Sequence, residues 1–281
     1  MIINHNIQAL NTHRQLGINT ANASKNIEKL SSGYRINRAA DDAAGLSISE
    51  KMRAQIRGME QASRNAQDGV SLVQTAEGAL QTVNDMLVRI KELATQASNG
   101  TLQDENRDRI QEEVEELAKE IENIRDNTKF NGIQLLAGSG GTGLASGKVT
   151  LQIGQEKAQT LEMDASNFSL SGVATYVNAL DFGTASGARG ALSGTGGIDD
   201  QIKEVSSARS YLGAQQNRLE MTINNLNTTV ENLTASESRI RDVDMAKEMM
   251  NFTKNNILTQ AAQSMLAQAN QTPQGVLQLL R

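Results

Sequence analysis

In the last third of the chain, Ile198, Ile202, Val205, Leu212, Leu219, Ile223, Leu226, Val230 and Leu233 follow one another at steps of four, three and seven. That spacing lays an apolar stripe along one side of a long helix. A matching stripe recurs every seven residues in the first half, at Met52, Met59, Ala66, Val73, Leu80, Leu87 and Ala94. Between the halves lies a Gly/Ser-rich stretch, roughly 137–197. The pattern predicts a mainly α chain. Its N- and C-terminal segments fold back into one long antiparallel bundle or coiled coil, and a small β-hairpin region lies between them.

The elements follow from the same reading. Residues 3–32 predict a helix whose stripe starts at Ile3, Ile7 and Leu10 and then shifts register to Leu16, Ala23, Ile27 and Leu30. It carries six asparagines, and asparagine is a poor helix former, so this helix needs a partner surface. Gly33 reads as its stop, and Asp41 and Asp42 as N-caps of a second helix over 44–98. A third helix, 104–128, repeats the stripe at Ile110, Val114, Leu117, Ile121 and Ile124. Val149, Leu151 and Ile153 alternate with polar residues, as do Leu161 and Met163, which predicts a hairpin near 148–164. Residues 165–197 read as loop with a short helix, anchored by Tyr176 and Phe182. A return helix is expected over 198–234. A last helix is expected over 240–270 with Val243, Ala246, Met250, Ile257, Ala261 and Met265 on one side, ending before Pro273.

Composition agrees with seams rather than a thick core. Aromatics are 2% of the chain, with no Trp, so burial must come from Leu, Ile, Val, Met and Ala. The net charge of −5 names no partner, but its distribution is uneven. Residues 1–65 hold nine Lys/Arg against five acids, and residues 101–126 hold ten acids against four bases. Such patches suit docking of one copy on the next, or simply two solvated helix faces. The bases neither cluster nor alternate with aromatics, so nucleic acid is not expected. The chain has no Cys, which excludes a disulfide framework and thiolate chemistry. No apolar run reaches the length of a membrane span. The first residues, Met1 to Asn6, do not read as a secretory signal, so export is expected to take another route.

Catalytic readings find little support. His5 and His13 lie eight apart, off the spacing that aligns two ligands, and His-Glu-x-x-His is absent. Gly138–Gly143 lacks the Lys-Ser/Thr of a phosphate loop and reads as linker. Asn-x-Ser/Thr at Asn22, Asn227, Asn232 and Asn251 falls on predicted helices and reads as chance. No enzyme, cofactor or metal site is expected.

Four segments are distinctive. Met1 to Asn11 and Leu30 to Leu46 (LSSGYRINRAADDAAGL) resemble the opening of bacterial flagellins, and Ser238 to Ala246 (SRIRDVDMA) with the closing Val276 to Arg281 resembles their ending. The resemblance covers roughly 1–135 and 200–281. It implies a self-assembling structural subunit of the flagellar filament, used for swimming. It also implies an inner coiled-coil domain of 1–43 with 237–281, and a helical bundle over 44–236 with a short variable segment, 165–197, in place of large outer domains. Ile3, Ile7, Leu10, Ile27, Leu30, Val243, Met250, Ile257, Leu277, Leu279 and Leu280 are the expected polymer interface, with about 1–40 and 240–281 ordering on assembly. By the same resemblance, the protein is secreted to the extracellular filament through the flagellar type III channel, with no cleaved signal. An export chaperone binds the region near 240–281, and the filament cap and junction proteins are further partners. Arg89 and Leu93, with Glu113, are similar to the segment read by toll-like receptor 5 of a host. The alternatives are a hook–filament junction protein and, from another class, a coiled-coil adaptor.

Overall fold

The structure, a computed structural model, describes residues 6–138, 147–192 and 196–279. Among them are seven α-helices: α1 (Ile7–Ser32), α2 (Ala43–Ala97), α3 (Asp104–Asn127), α4 (Ser171–Asn178), α5 (Ala185–Leu192), α6 (Ile198–Arg241) and α7 (Met245–Leu279). Two antiparallel strand pairs join them, β1 (Lys129–Phe130) with β2 (Ile133–Gln134), and β3 (Lys148–Gln152) with β4 (Thr160–Asp164). The protein is mainly α, as the periodicity predicts. The chain divides into two compact units, one of Met1–Ile56 with Glu231–Arg281 and one of Arg57–Val230.

In the larger unit the heptad stripe of α2 is the core. Met59, Ala66, Val73, Leu80, Leu87 and Ala94 are all buried, and from Ala66 onward they cluster with Ile110, Val114 and Ile121 of α3 and Val205, Leu212 and Leu219 of α6. Both partners run antiparallel to α2. Arg89 faces Glu113 on α3, while Lys91 faces Asp199 at one end of α6 and Ser63 faces Asn227 towards the other. The expected hairpin forms, with Val149 opposite Met163 and Leu151 opposite Leu161, and buries Val149, Leu161 and Met163. It lies close on α2 because Gly69 has no side chain; a Cβ there would collide with Leu151 and stand 3.3 Å from Leu219.

Four expectations need correction. Residues 165–192 are not mainly loop. A 3-10 turn (Ala165–Phe168), α4 and α5 fold onto the core, burying Phe168, Leu170, Val173, Val177, Phe182 and Ala188. Ser and Gly content suggested solvated chain, but the few large residues among them all face inward. Phe168 and Phe182 are therefore the largest fully buried side chains in a chain poor in aromatics, and Phe168 stacks on Tyr211 at 6.5 Å. A second hairpin was missed. Asn131 and Gly132 both take positive φ (49° and 81°), the two-residue turn that Asn-Gly favours. Asp41 does not cap α2. Its Oδ2 accepts from the N–H groups of Asn37 and Arg38, while Asp42 Oδ1 caps the helix through the Gly45 N–H at 2.8 Å.

Finally, α7 does not stop before Pro273. Proline has no N–H to offer the carbonyl four residues back, that of Ala269. The Asn6 side chain donates Nδ2–H to that carbonyl at 2.7 Å, while its Oδ1 caps α1 through the Ala9 N–H.

Candidate assembly surface

The smaller unit is built on α1 and α7, packed antiparallel. The residues each helix turns inward step by three and four: Ala9, Thr12, Leu16, Asn19, Ala23, Asn26 and Leu30 on α1, and Glu248, Phe252, Asn255, Thr259, Ala262, Leu266 and Ala269 on α7. This is coiled-coil spacing with an unusual filling. The most buried α1 residues are Asn19 and Asn26, and Glu248 is equally buried on α7. With its amide turned to match donors to acceptors, Asn26 donates to Glu248 Oε1 at 2.9 Å and accepts from Asn255 Nδ2 at 3.0 Å. Buried polar groups at seam positions fix register at a cost in stability. By propensity alone the asparagines only weaken the helix. The seven-residue recurrence Thr12, Asn19, Asn26 was the signal that they form its seam.

Leu16, Leu30, Phe252 and Leu266 apart, the described large apolar residues of the two helices point away. Ile7 is 71% exposed and Ile257 61%; Leu10, Ile27, Met245, Met249, Met250, Leu258 and Met265 are exposed as well. At 100° per residue Ile7, Leu10 and Ile18 lie opposite the α1 seam and Ile27 beside it, so the expected single stripe that shifts register is in fact two faces. On α7, Met250 and Ile257 lie opposite the seam, and Met249, Thr253, Lys254 and Leu258 complete a shallow depression around them. Of the other expected interface residues, Leu30 and Val243 are half-buried within this unit. Ile3 and Leu280 lie outside the described residues. Leu277 and Leu279 fall in the last turns of α7, where only the backbone is described.

Two of the distinctive sequence segments, 30–46 and 238–246, meet at the other end of this unit. Gly33 takes φ +74° and closes α1 through its N–H to the Lys29 carbonyl. The chain then pairs with the α6–α7 junction. Arg35 N–H donates to the Arg241 carbonyl at 2.7 Å, Val243 N–H donates to the Gly33 carbonyl at 3.0 Å, and Tyr34 bridges Asp242. The Arg35 guanidinium reaches the Ile240 carbonyl at 2.5 Å. The Arg241 guanidinium lies 4.8 Å over the Tyr34 ring in a cation–π contact, and its buried Nε and Nη1 have no hydrogen-bond acceptor. Asp244 Oδ1 caps α7 through the Lys247 N–H. Beside this joint the Asp41 carboxylate titrates below its ordinary range, because the Arg38 and Asn37 N–H groups bind its charged form.

In the larger unit, Arg89 stands half-exposed with its Nη2 2.9 Å from Glu113 and its Nη1 3.2 Å from Glu92. Leu93, one turn on, is buried in the core and presents no side chain to solvent. The α2–α3 corner that carries this pair is tied by Arg107, which sequence reading did not single out. Its buried guanidinium donates to the Ala97 carbonyl (3.2 Å), the Asn99 carbonyl (3.1 Å) and Asp104 Oδ1 (2.7 Å). Of the two histidines, His13 is exposed on α1 and His5 lies outside the described residues, as do residues 139–143 of the Gly-rich run. No described helix is long and apolar enough to cross a membrane.

Comparison with known proteins places these features. Residues 3–140 match the bacterial flagellin N-terminal helical region, and residues 195–280 match the bacterial flagellin C-terminal helical region. A flagellin of Halalkalibacterium halodurans is 56% identical over 281 residues, covering all of both chains. A flagellin of Bacillus subtilis is 51% identical, again over the whole of both. The crystal structure of Bacillus cereus flagellin superposes with a TM-score of 0.50 at 27% identity, covering 62% of this chain and 94% of that one.

Proposed function

The chain belongs to the bacterial flagellin family and is a structural subunit of the extracellular flagellar filament, polymerising with its own kind; on that premise we propose that the outward faces of α1 and α7 are its polymer interface. One observation carries the reading. The α1/α7 pair fills ten of the fourteen seam positions named above with Asn, Thr, Ala or Glu and leaves Ile7, Leu10, Met250 and Ile257 in water. An exposed apolar face of this kind marks an interaction site. Repeated head-to-tail contacts that do not close generate a helical polymer. Ile3, Leu277, Leu279 and Leu280 extend the interface, and the segments 1–40 and 240–281 gain most of their order as neighbours cover them. The inner domain read from the sequence, 1–43 with 237–281, falls within the smaller unit, and the bundle, 44–236, contains the larger one. The subunit's work is assembly and transmission of torque, without turnover of a substrate.

The test is seeded growth. Ile257 makes no seam contact, so Ile257→Glu leaves the monomer folded. Placing its charge against a neighbour raises the monomer concentration needed for growth by about a hundredfold or more. Growth of this variant at the wild-type concentration would falsify the assignment. Wild-type monomer that stops at short capped ends indicates a junction protein instead.

Export through the flagellar type III channel, uncleaved and with a chaperone on about 240–281, and contacts with cap and junction proteins complete the proposal; family membership supports them. Secretion halted by loss of the export gate, with an intact N-terminus on the filament protein, is the expected result. For host recognition, Arg89 and Glu113 offer a paired surface to toll-like receptor 5, and buried Leu93 holds the helix beneath them. Arg89→Ala monomer that signals as strongly as wild type rejects that role.

A further inference from the structure

All the sulfur in this chain is thioether: ten methionines and no cysteine. The methionines are not evenly sheltered. Met163 is 0% exposed and Met59 6%, both inside the core of the larger unit, whereas α7 carries Met245, Met249, Met250 and Met265 at 48%, 49%, 67% and 59%. Met249 and Met250 line the shallow depression with Ile257 and Leu258, while Met245 and Met265 are exposed elsewhere along the same helix. Leucine would give the same apolarity. Methionine gives in addition an unbranched, polarisable chain that repacks against whatever covers it. The cost of that choice is chemical.

We infer that the α7 methionines are an oxidant-sensitive switch on polymerisation. In the free subunit they are open to peroxide. The thioether sulfur attacks one oxygen of hydrogen peroxide and the O–O bond breaks. The departing hydroxide takes the proton of the hydroxyl now bonded to sulfur and leaves as water. Sulfur is oxidised by two electrons to the sulfoxide, and the peroxide is reduced. Each sulfoxide places a strong dipole where an apolar surface has to be covered, and methionine sulfoxide reductases reverse the change. A sulfoxide buried without a donor raises the concentration required for growth by about tenfold for each site. In the filament the same residues are covered and oxidise more slowly, so the switch acts on subunits before they add.

This inference rests on the proposed interface, and the test separates the two. Full-length monomer is treated with hydrogen peroxide, the sulfoxide at each methionine is quantified by peptide mass spectrometry, and growth on untreated seeds is followed by light scattering. The four α7 methionines are expected to oxidise well before Met163 and Met59, and growth to fall in step with them. Reductase treatment restores growth as the α7 sulfoxides disappear. A chain carrying Met245→Leu, Met249→Leu, Met250→Leu and Met265→Leu is expected to keep growing after peroxide, while Met221→Leu, on α6 of the other unit, stays sensitive. If the fourfold variant does not polymerise, the reductase arm on the wild-type chain decides. Wild-type subunits fully oxidised on α7 that still grow normally overturn the inference, and so does sensitivity that follows Met221. If Ile257→Glu blocks growth while oxidation does not, the interface stands and the switch falls. If Ile257→Glu grows normally, the interface itself is wrong.

Discussion

Replacing Asn26 by alanine removes four hydrogen bonds from the most polar point of the α1/α7 seam; the Asn22 carbonyl and the Phe252 N–H keep their helix partners, so the two lost without replacement are those to the Glu248 carboxylate at 2.9 Å and from the Asn255 amide at 3.0 Å. Both Asn26 and Glu248 are buried, so water does not replace what is lost. A bond to a charged acceptor contributes about 1.5–3 kcal/mol and a neutral one about 0.5–1.5 kcal/mol, which gives a total of roughly 2–4 kcal/mol. Local opening of α1 therefore becomes about 30- to 1000-fold more frequent. Amide hydrogen exchange on assembled filaments reads this directly over residues 19–30, because exchange there follows local opening. Glu248→Ala should cost less than Asn26→Ala, since it removes one of the two bonds along with a buried charge. The double variant should fall short of the sum by about 1–2 kcal/mol, the coupling between contacting partners. Costs that add to within about 0.3–0.5 kcal/mol, or unchanged exchange in Asn26→Ala, would show that the asparagines are tolerated in the seam rather than used by it.

Arg107→Met keeps the buried stem but leaves the Ala97 and Asn99 carbonyls without their donor, so urea unfolding should report a loss of about 2–3 kcal/mol, with an unchanged midpoint refuting the corner's role. Leu87→Ala opens the fully buried heptad stripe and should cost about 2–5 kcal/mol in the same assay. Gly33→Ala meets no atom within 4 Å, so its penalty is purely that of the left-handed backbone, about 1–2 kcal/mol, and Gly33→Asn should cost less; equal exchange rates at Tyr34 and Arg35 in all three chains would contradict this. The depressed Asp41 carboxylate stabilises the turn above its unfolded pKa and ceases to do so as pH falls through its lower folded value. Exchange at Asn37 and Arg38, corrected for intrinsic pH effects, should therefore rise at the acid end in wild type and show no such step in Asp41→Asn.

Periodicity was enough to place α2, α3, α6 and the β3–β4 hairpin, because a helix or strand with one wet face must repeat its apolar residues at the period of its backbone. The heptad from Met59 to Ala94 and the alternation from Val149 to Met163 state both the element and the side it buries. The flagellin signatures likewise named the family from residues alone. What sequence left undecided was direction wherever two faces of one helix competed. On α1, Ile7 and Asn19 lie on opposite sides, and hydropathy alone sends Ile7 inward. Only the antiparallel partner, with Glu248 and Asn255 set against Asn26, makes the polar side the seam and releases the apolar one to the surface. The same holds for Phe168 and Phe182, scattered in a Ser/Gly-rich stretch with no period to read, whose burial depends on pockets assembled from α2, α3 and α6. Local sequence determines which face is which; whether a face is covered by its own chain or left for another is settled by long-range contacts, since burial belongs to a pair of surfaces and not to either one alone.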